Sequence, residues 1–208
     1  MKKNYQFELD KIIASLGNSR PTLFLHSCCG PCSSYVIEYL SQYFDITVYY
    51  YNPNIFPLEE YERRLSTQIE LIEKLGGAVM TESDYNPDSF YNAAKGLEAE
   101  KEHGLRCTEC FKLRLESTAK RAKEGQFDFF ATTLTVSPHK NAELINEICN
   151  ELAEQYKVRA LPSDFKKREG YKRSIELSNE FDLYRQDYCG CEFSLKQRME
   201  QKAGANLN

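Results

Sequence analysis

Segments typical of strands alternate with segments typical of helices along this chain, and the alternation restricts the possible folds more than any other feature. Apolar, β-branched and aromatic runs predict five strands, at 22–26, 45–51, 78–82, 127–133 and 157–161. Helical spacing of apolar residues predicts helices at 33–44, 58–72, 88–94 (capped by Asp88), 111–123, 141–155, 171–181 and 194–202. This order is typical of an α/β fold around a mostly parallel sheet, whose ligand site lies at the carboxyl ends of the strands.

The chain has the length of one domain. Its 208 residues, of which 41% are hydrophobic, are enough to bury a substantial core. No repeat, low-complexity segment or linker divides it, so we predict a single α/β domain over residues 1–208. We expect residues 1–20 to form an N-terminal extension and residues 203–208 to form a frayed tail.

The sequence carries no sign of export or membrane insertion. Residues 1–17 include two lysines but neither an apolar core nor a small-residue cleavage site. No run approaches the roughly 18 apolar residues of a membrane-spanning helix. We therefore expect a cytoplasmic protein, in which thiols stay reduced and clustered cysteines indicate metal or redox chemistry.

Seven of the eight cysteines lie in three tight groups. The groups are Cys28, Cys29 and Cys32; Cys107 and Cys110; and Cys189 and Cys191. Eight cysteines in 208 residues are too few for a small secreted disulfide scaffold and more than a core needs as apolar filler. The eighth, Cys149, shares an apolar helix face with Ile145 and Ile148, so we assign it to the core.

The first group, in HSCCGPCS, follows the first predicted strand and opens the first predicted helix. Free backbone N–H groups at a helix start stabilise thiolates. Adjacent cysteines cannot form an unstrained disulfide with each other, so Cys28 and Cys29 are free to direct their sulfurs at one cluster or at two neighbouring metals. The alternative is that these cysteines are small buried apolar residues in a tight turn.

The second group, in RCTECFKLR, is a C-x-x-C pair at the start of another helix. This spacing occurs in zinc sites, iron–sulfur sites and redox dithiols. Together with the first group it supplies enough thiolates for a four-cysteine cluster, and a structural zinc site is the alternative.

The third group, in DYCGCEF, places two cysteines on either side of one glycine. A disulfide across so short a loop is strained and comparatively easy to reduce, and Gly190 supplies the backbone freedom that it needs. The spacing therefore favours a reversible dithiol, with metal ligation as the alternative.

The chain resembles the QueH family of epoxyqueuosine reductases in five motifs: HSCCGPCSSYV, YYYNPNI, RCTECFKLRLESTA, FATTLTVSPHKN and YRQDYCGCEFS. The motifs cover most of the chain, from residue 23 to residue 194. The resemblance implies a Rossmann-like three-layer fold, with helices on both faces of the sheet. It also implies an oxidoreductase for the last step of queuosine biosynthesis. Such an enzyme reduces the epoxide of epoxyqueuosine, at the wobble position of tRNA anticodons, to the alkene of queuosine.

The resemblance also implies the cofactors and their ligands. It points to a [4Fe-4S] cluster held by Cys28, Cys29, Cys107 and Cys110, and to Cys189 and Cys191 as a redox-active pair. Cys32 matches a further cysteine of the family motif. A second metal ion, iron or zinc, is expected beside the cluster, and its candidate carboxylate ligands are Asp84, Asp164 and Asp187.

A tRNA substrate has to be reconciled with a formal net charge of −4. Phosphate contacts need only a local basic patch. Residues 166–173 contain such a patch, and we predict that it contacts tRNA through Lys166, Lys167, Arg168, Lys172 and Arg173. The alternative is that these side chains only solvate a helix face.

Two other functions compete with the reductase. One is a zinc-stabilised RNA-binding module without catalysis, and the other is a cytosolic thiol–disulfide oxidoreductase.

His26 is a candidate proton donor, although a histidine at a strand end more often has a structural role. We expect a monomer that receives electrons from a separate donor.

Overall fold

Five parallel strands form one sheet in the computed structural model of the protein, which describes residues 3–82 and 84–205. The strands are β1 (Thr22–His26), β2 (Asp45–Tyr49), β3 (Ala78–Thr81), β4 (Phe129–Thr132) and β5 (Arg159–Ala160). Their order across the sheet is β3-β2-β1-β4-β5. From β1 the chain adds β2 and β3 on one side, and it then crosses back to add β4 and β5 on the other side of β1. The site described below lies at this topological switch point between β1 and β4.

Helices cover both faces of the sheet. The described ranges contain α1 (Tyr5–Ser15), α2 (Gly30–Leu40), α3 (Leu58–Leu75), α4 (Pro87–Ala94), α5 (Leu105–Glu124), α6 (Ala142–Tyr156), α7 (Gly170–Glu180) and α8 (Glu192–Ala205), with a 3-10 turn at Thr133–Val136. None of the helices in these ranges is both long and apolar enough to cross a bilayer.

Alternation along β1 separates two cores. Leu23 and Leu25 face one side, where they pack with apolar residues of α1, α2 and α3. Phe24 faces the other side and packs with apolar residues of α5 and α6, among them Cys149. These three layers confirm the predicted α/β fold, and the burial of Cys149 confirms its assignment to the core.

Several predicted boundaries differ from those in the structure. Helix α5 begins at Leu105 instead of residue 111, because Gly104 ends the preceding loop and the C-x-x-C pair lies in the first helical turns. Asn86, and not Asp88, is the residue that precedes α4, since Pro87 fits the first helical position. Within the predicted N-terminal extension, α1 is helical, and its Leu9 is fully buried in the core.

The predicted frayed tail is only partly described. Helix α8 continues through Ala205, beyond the predicted helix end at residue 202 and into the segment predicted to fray. Residues 206–208 lie outside the described residues.

Candidate functional site

Three cysteine sulfurs lie close together between the end of β1 and the first turn of α2. The Sγ atoms of Cys28, Cys29 and Cys32 all lie within 4.8 Å of one another, and those of Cys28 and Cys29 are 3.8 Å apart. Among residues 3–82 and 84–205, this is the only group of three or more metal-ligating side chains packed so closely. We call these three residues the cysteine triad.

The start of α2 explains why the triad forms. Cys29 is the extended residue that precedes the helix, and Cys32 lies in its first turn, so both sulfurs point towards the same helix end. Gly30 allows α2 to approach α3 closely, because a Cβ atom there would lie 2.9 Å from Cγ2 of Thr67. The sulfurs therefore lie at the positive end of a helix dipole, which favours thiolates.

The three thiols of the triad differ in the direction in which their pKa values are shifted. Hydrogen bonds from Cys28 and Cys32, with a further one from Gln186, hold the pKa of Cys29 well below its ordinary value, against the effect of burial. The contact with Cys29 raises the pKa of Cys28, and contacts with both neighbours raise the pKa of Cys32. Cys29 is therefore the first thiolate of the triad.

The triad forms part of the wall of a cavity of about 520 Å³. The lining also includes Cys189 and several basic or aromatic side chains: Arg64, His103, Arg114, His139, Lys140, Tyr171, Arg185 and Tyr188. Two acidic residues, Glu102 and Asp187, complete the charged part of the wall. The cavity is therefore rich in both thiols and positive charge, which suits an anionic ligand.

Lys140 lies directly against Cys189. Its Nζ donates to Sγ of Cys189 at 2.9 Å. Burial opposes the charged form of Lys140, but the charge and hydrogen bond of Cys189 outweigh it, so the pKa of Lys140 is raised. The Lys140 ammonium therefore lies directly against this sulfur and donates a charge-assisted hydrogen bond to it.

The C-G-C segment is held by a buried arginine. Arg64, which is 2% exposed, forms a 2.7 Å ion pair with Glu60 and donates to the carbonyl oxygen of Cys189 at 3.2 Å. Gly190 has φ +132°, a conformation that residues with a Cβ rarely adopt, and a Cβ there would lie 3.0 Å from Nη1 of Arg64. Cys191 is buried, and its sulfur accepts from the backbone N–H of Ser194 at 3.4 Å.

The C-x-x-C pair lies beside the C-G-C pair rather than within the triad. Cys110 packs against Cys191 in a small apolar cluster, and burial raises its pKa to about 11 although Arg114 acts against this effect. Burial also raises the pKa of Cys107, whose sulfur accepts from the backbone N–H of His103 at 3.3 Å. All eight cysteines, each within the described residues, are free thiols.

His26 serves the structure and is not placed as a proton donor. It is fully buried, and its Nε2 donates to the carbonyl oxygen of Tyr51 at 3.2 Å. Its Nδ1 then accepts from the hydroxyl of Thr132 at 2.9 Å. Burial and the charge of Arg114 lower the pKa of His26 to about 3, so the ring is neutral.

The three candidate carboxylates lie in different places. Asp84 is 85% exposed, where it pairs with an arginine of α5, and Asp164 pairs with Lys166 in a separate cavity. Only Asp187 of the three lines the cavity of the triad. A hydrogen bond from Lys202, 2.5 Å away, keeps the pKa of Asp187 below its ordinary value.

Most of the predicted tRNA-binding side chains are engaged in ion pairs. The pairs are Lys166 with Asp164, Arg168 with Asp10, Lys172 with Glu169, and Arg173 with Glu38. Lys167 is the only one of the five without an ion pair among the described residues. The net positive charge of residues 166–173 is therefore offset in part by carboxylates from α1 and α2.

Several site residues were not predicted from the sequence. Arg64, Arg114 and Asn52 reach the site from α3, α5 and the loop after β2. Arg114 and Asn52 lie in two of the recognised motifs, RCTECFKLRLESTA and YYYNPNI, whereas no motif or local pattern marks Arg64. Lys140 was part of a recognised motif, FATTLTVSPHKN, and this motif was the available signal. Cys32 was predicted only as an additional ligand, although its spacing of three residues from Cys29 places both at one helix end.

The fold and the site define a class: an α/β protein with a cysteine-ligated metal or iron–sulfur site at the carboxyl ends of its parallel strands. Residues 23–197 match the family model described as epoxyqueuosine reductase QueH. The chain belongs to this family, which confirms the resemblance that its motifs predict.

Individual relatives agree with the family match. The chain is 47% identical to epoxyqueuosine reductase QueH of Staphylococcus epidermidis, over 97% of this chain and 89% of that one. It is 42% identical to the Streptococcus pyogenes enzyme of the same name, over 95% and 82% of the two chains. A solved structure, the U34-tRNA thiolase NcsA from Methanococcus maripaludis with its [4Fe-4S] cluster, matches with a TM-score of 0.54 and 14% identity. That match covers 91% of this chain and 68% of the thiolase and shows a shared fold.

Proposed function

We propose that this protein reduces epoxyqueuosine in tRNA to queuosine. Membership of the QueH family supports the reaction, and it does not favour either the zinc-stabilised module or the general thiol–disulfide oxidoreductase. The observation that carries the proposal is one cavity whose wall holds both the cysteine triad and Cys189. A tRNA bearing the epoxide is the substrate, and the wobble nucleoside enters this cavity.

The donor set suits an iron–sulfur cluster. Thiolates are the usual ligands of such clusters, and the triad offers three sulfurs within 4.8 Å of one another. Cys28 and Cys29 belong to the predicted ligand set, and the geometry supports adding Cys32 to it. Cys107 and Cys110 remain the predicted source of further ligands. A [4Fe-4S] cluster, the group held by the thiolase of the same fold, supplies electrons one at a time when bound.

Cys189 and Cys191, acting as a dithiol, supply both electrons and both protons that the reaction consumes. Conversion of an epoxide to an alkene and water consumes two electrons and two protons. Oxidation of two thiols to a disulfide releases the same number of each, so the reaction balances with one disulfide formed per epoxide reduced. A separate reductant then returns the disulfide to the dithiol. Cys189 faces the cavity while Cys191 is buried behind it, so Cys189 is the sulfur nearer to the substrate.

Charged side chains of the cavity have separate tasks. The Lys140 ammonium holds the Cys189 sulfur in place and carries a proton at Nζ beside the reacting groups. A second metal ion, iron or zinc, is proposed to bind beside the triad, and Asp187 is its best placed candidate carboxylate because it lines the same cavity. Lys166, Lys167, Arg168, Lys172 and Arg173 remain the candidate tRNA contacts, and Lys167 is the foremost because it is the one without an ion pair among the described residues.

Anaerobic purification followed by one assay tests the function. Iron, sulfide and zinc are measured, and the protein is then incubated with epoxyqueuosine-containing tRNA and a reductant. We expect iron and sulfide in the protein and a nucleoside that has lost one oxygen atom in mass spectrometry. A colourless zinc protein that leaves the nucleoside unchanged would support the binding module instead. Disulfide exchange without iron would support the general oxidoreductase.

A further inference from the structure

Arg114 is a buried cation that has no carboxylate partner among residues 3–82 and 84–205. Its side chain projects from α5 into the interior and is 3% exposed. Nη2 donates to Oδ1 of Asn52 at 2.5 Å, while Nη1 lies 4.0 Å from Sγ of Cys110. Nε has no hydrogen-bond partner, and no described carboxylate forms an ion pair with the guanidinium.

Two other buried arginines show how unusual this arrangement is. Arg64 is neutralised by Glu60, 2.7 Å away. Arg106 forms no ion pair with a carboxylate in the described part of the chain either, but its Nη1 donates to three carbonyl oxygens of the preceding loop. A guanidinium held by a single amide oxygen is costly to bury unless another negative charge compensates it.

The compensating charge would come from the cysteines when they ligate a cluster as thiolates. The charge of Arg114 acts on the sulfurs of Cys28, Cys110 and Cys189, which belong to all three cysteine groups. Asn52 fixes the guanidinium in this position, because its Nδ2 donates to the carbonyl oxygen of Ser27 at 2.9 Å while its Oδ1 accepts from Arg114. Arg114 is therefore tied to the segment that carries the triad.

We propose that Arg114 is the fixed counter-charge of the thiolate-ligated cluster and raises its reduction potential. Reduction adds one electron to a group whose thiolates already make it negative, and a nearby permanent cation favours the more negative, reduced form. Arg114 is a positioning residue in this role, since it acts through the cluster and not on the substrate. The inference rests on the proposed function, because that function requires the cluster.

The test compares variants that keep or remove the charge. Arg114→Gln removes the charge but retains a hydrogen-bond donor for Asn52, while Arg114→Lys retains the charge. Arg121→Gln is the matched control, because Arg121 lies two turns further along α5 with its side chain 42% exposed. Each protein is reconstituted anaerobically, and the midpoint potential of its cluster is measured by a redox titration followed by electron paramagnetic resonance.

We expect Arg114→Gln to lower the equilibrium constant for cluster reduction at least tenfold, a shift of about 59 mV to more negative potential for one electron. Arg114→Lys should retain most of the wild-type potential, and Arg121→Gln should retain all of it. The KM for tRNA should stay unchanged in Arg114→Gln while kcat falls. A cluster lost from Arg114→Gln but held by Arg114→Lys near the wild-type potential would also support the inference.

Other results would overturn it. Equal potentials in Arg114→Gln and wild type, or a raised KM with an unchanged potential, would show that Arg114 has another role. Loss of the cluster from both Arg114 variants, with an unchanged thermal unfolding temperature, would show that the cluster is retained through the shape of the Arg114 side chain and not through its charge. A wild-type protein that holds the cluster but leaves the epoxide intact would overturn the proposed function alone, because the potentials are measured without tRNA.

Discussion

Nζ of Lys140 lies 2.9 Å from Sγ of Cys189, and both residues line the cavity that the cysteine triad faces. The two residues are 49 positions apart, so the contact is made by the fold. It joins the loop before α6 to the C-G-C segment and gives one of the two paired cysteines a cationic neighbour. The sulfur of Cys191 instead accepts from the backbone N–H of Ser194 at 3.4 Å.

Replacement of Lys140 by glutamine should slow the reaction of Cys189. A hydrogen bond to a charged group contributes about 1.5–3 kcal/mol, so alkylation of Cys189 by iodoacetamide and kcat should both fall by roughly 10- to 100-fold. Mass spectrometry of the alkylated peptide gives the first rate. Lys112→Gln is the control, because Lys112 is an exposed residue of α5 paired with Glu109. Unchanged alkylation in Lys140→Gln would show that the contact has no chemical role.

The triad assignment predicts different effects of two cysteine substitutions. Cys32→Ser should reduce the iron content after anaerobic reconstitution, because it removes one of the three closest sulfurs. Cys149→Ser should keep the wild-type iron content, since Cys149 is buried among apolar residues of α6 and its pKa is raised to about 12 by burial alone. Full iron content and activity in Cys32→Ser would exclude Cys32 from the ligand set.

His26 should make stability depend on pH in the mildly acidic range. The pKa of His26 is lowered from its ordinary value of 6.5 to about 3 in the folded protein. Between these two values the unfolded chain binds a proton at His26 and the folded protein does not. Stability is therefore lost as pH falls below 6.5, by about 1 kcal/mol between pH 7 and pH 5.5. Urea unfolding at the two pH values measures the loss.

Two histidine variants test the origin of this dependence. His26→Asn should be less stable at pH 7 and should lack this component of the pH dependence. His139→Gln should keep it, because His139 is exposed. An identical loss of stability in His26→Asn and wild type would assign the pH dependence to other groups.

Residues 166–173, the basic segment, contain side chains held in ion pairs, such as Arg173, and one side chain without an ion pair among the described residues, Lys167. Lys167→Gln should lower tRNA affinity and reduce the slope of log affinity against log salt by about one, as expected for one phosphate contact. Arg173→Gln should change the slope little, because Arg173 is held by Glu38 at 2.6 Å, and should destabilise the fold by less than about 1 kcal/mol. Filter binding across a salt series measures both slopes. Equal slopes for Lys167→Gln and wild type would remove Lys167 from the interface.

Local patterns were sufficient to predict the sheet and the place of the site. All five strands follow from apolar runs, and the motif around Cys28 and Cys29 lies between a strand and a helix that the pattern predicts. Because parallel strands end at one edge of the sheet, the position of β1 alone placed these cysteines at the carboxyl edge. Boundaries were less accurate where caps decide them, as at Gly104 and Asn86.

Contacts between distant segments could not be predicted in this way. Arg173 is neutralised by Glu38, 135 positions away, so the basic segment looks more positive in the sequence than it is in the fold. Arg64 reaches the carbonyl oxygen of Cys189 over 125 positions. Such pairs depend on how helices pack on the sheet, and no local spacing encodes them.

Single-turnover reduction by Cys189→Ser tests the central claim, that a thiol facing the triad delivers electrons to the epoxide. The variant is reconstituted anaerobically, its visible absorbance is recorded, and it is incubated with epoxyqueuosine-containing tRNA beside wild type and Cys149→Ser. We predict that Cys189→Ser keeps the absorbance of the cluster and converts no epoxide, whereas both other proteins convert it. Conversion by Cys189→Ser at the wild-type rate and extent would contradict the account.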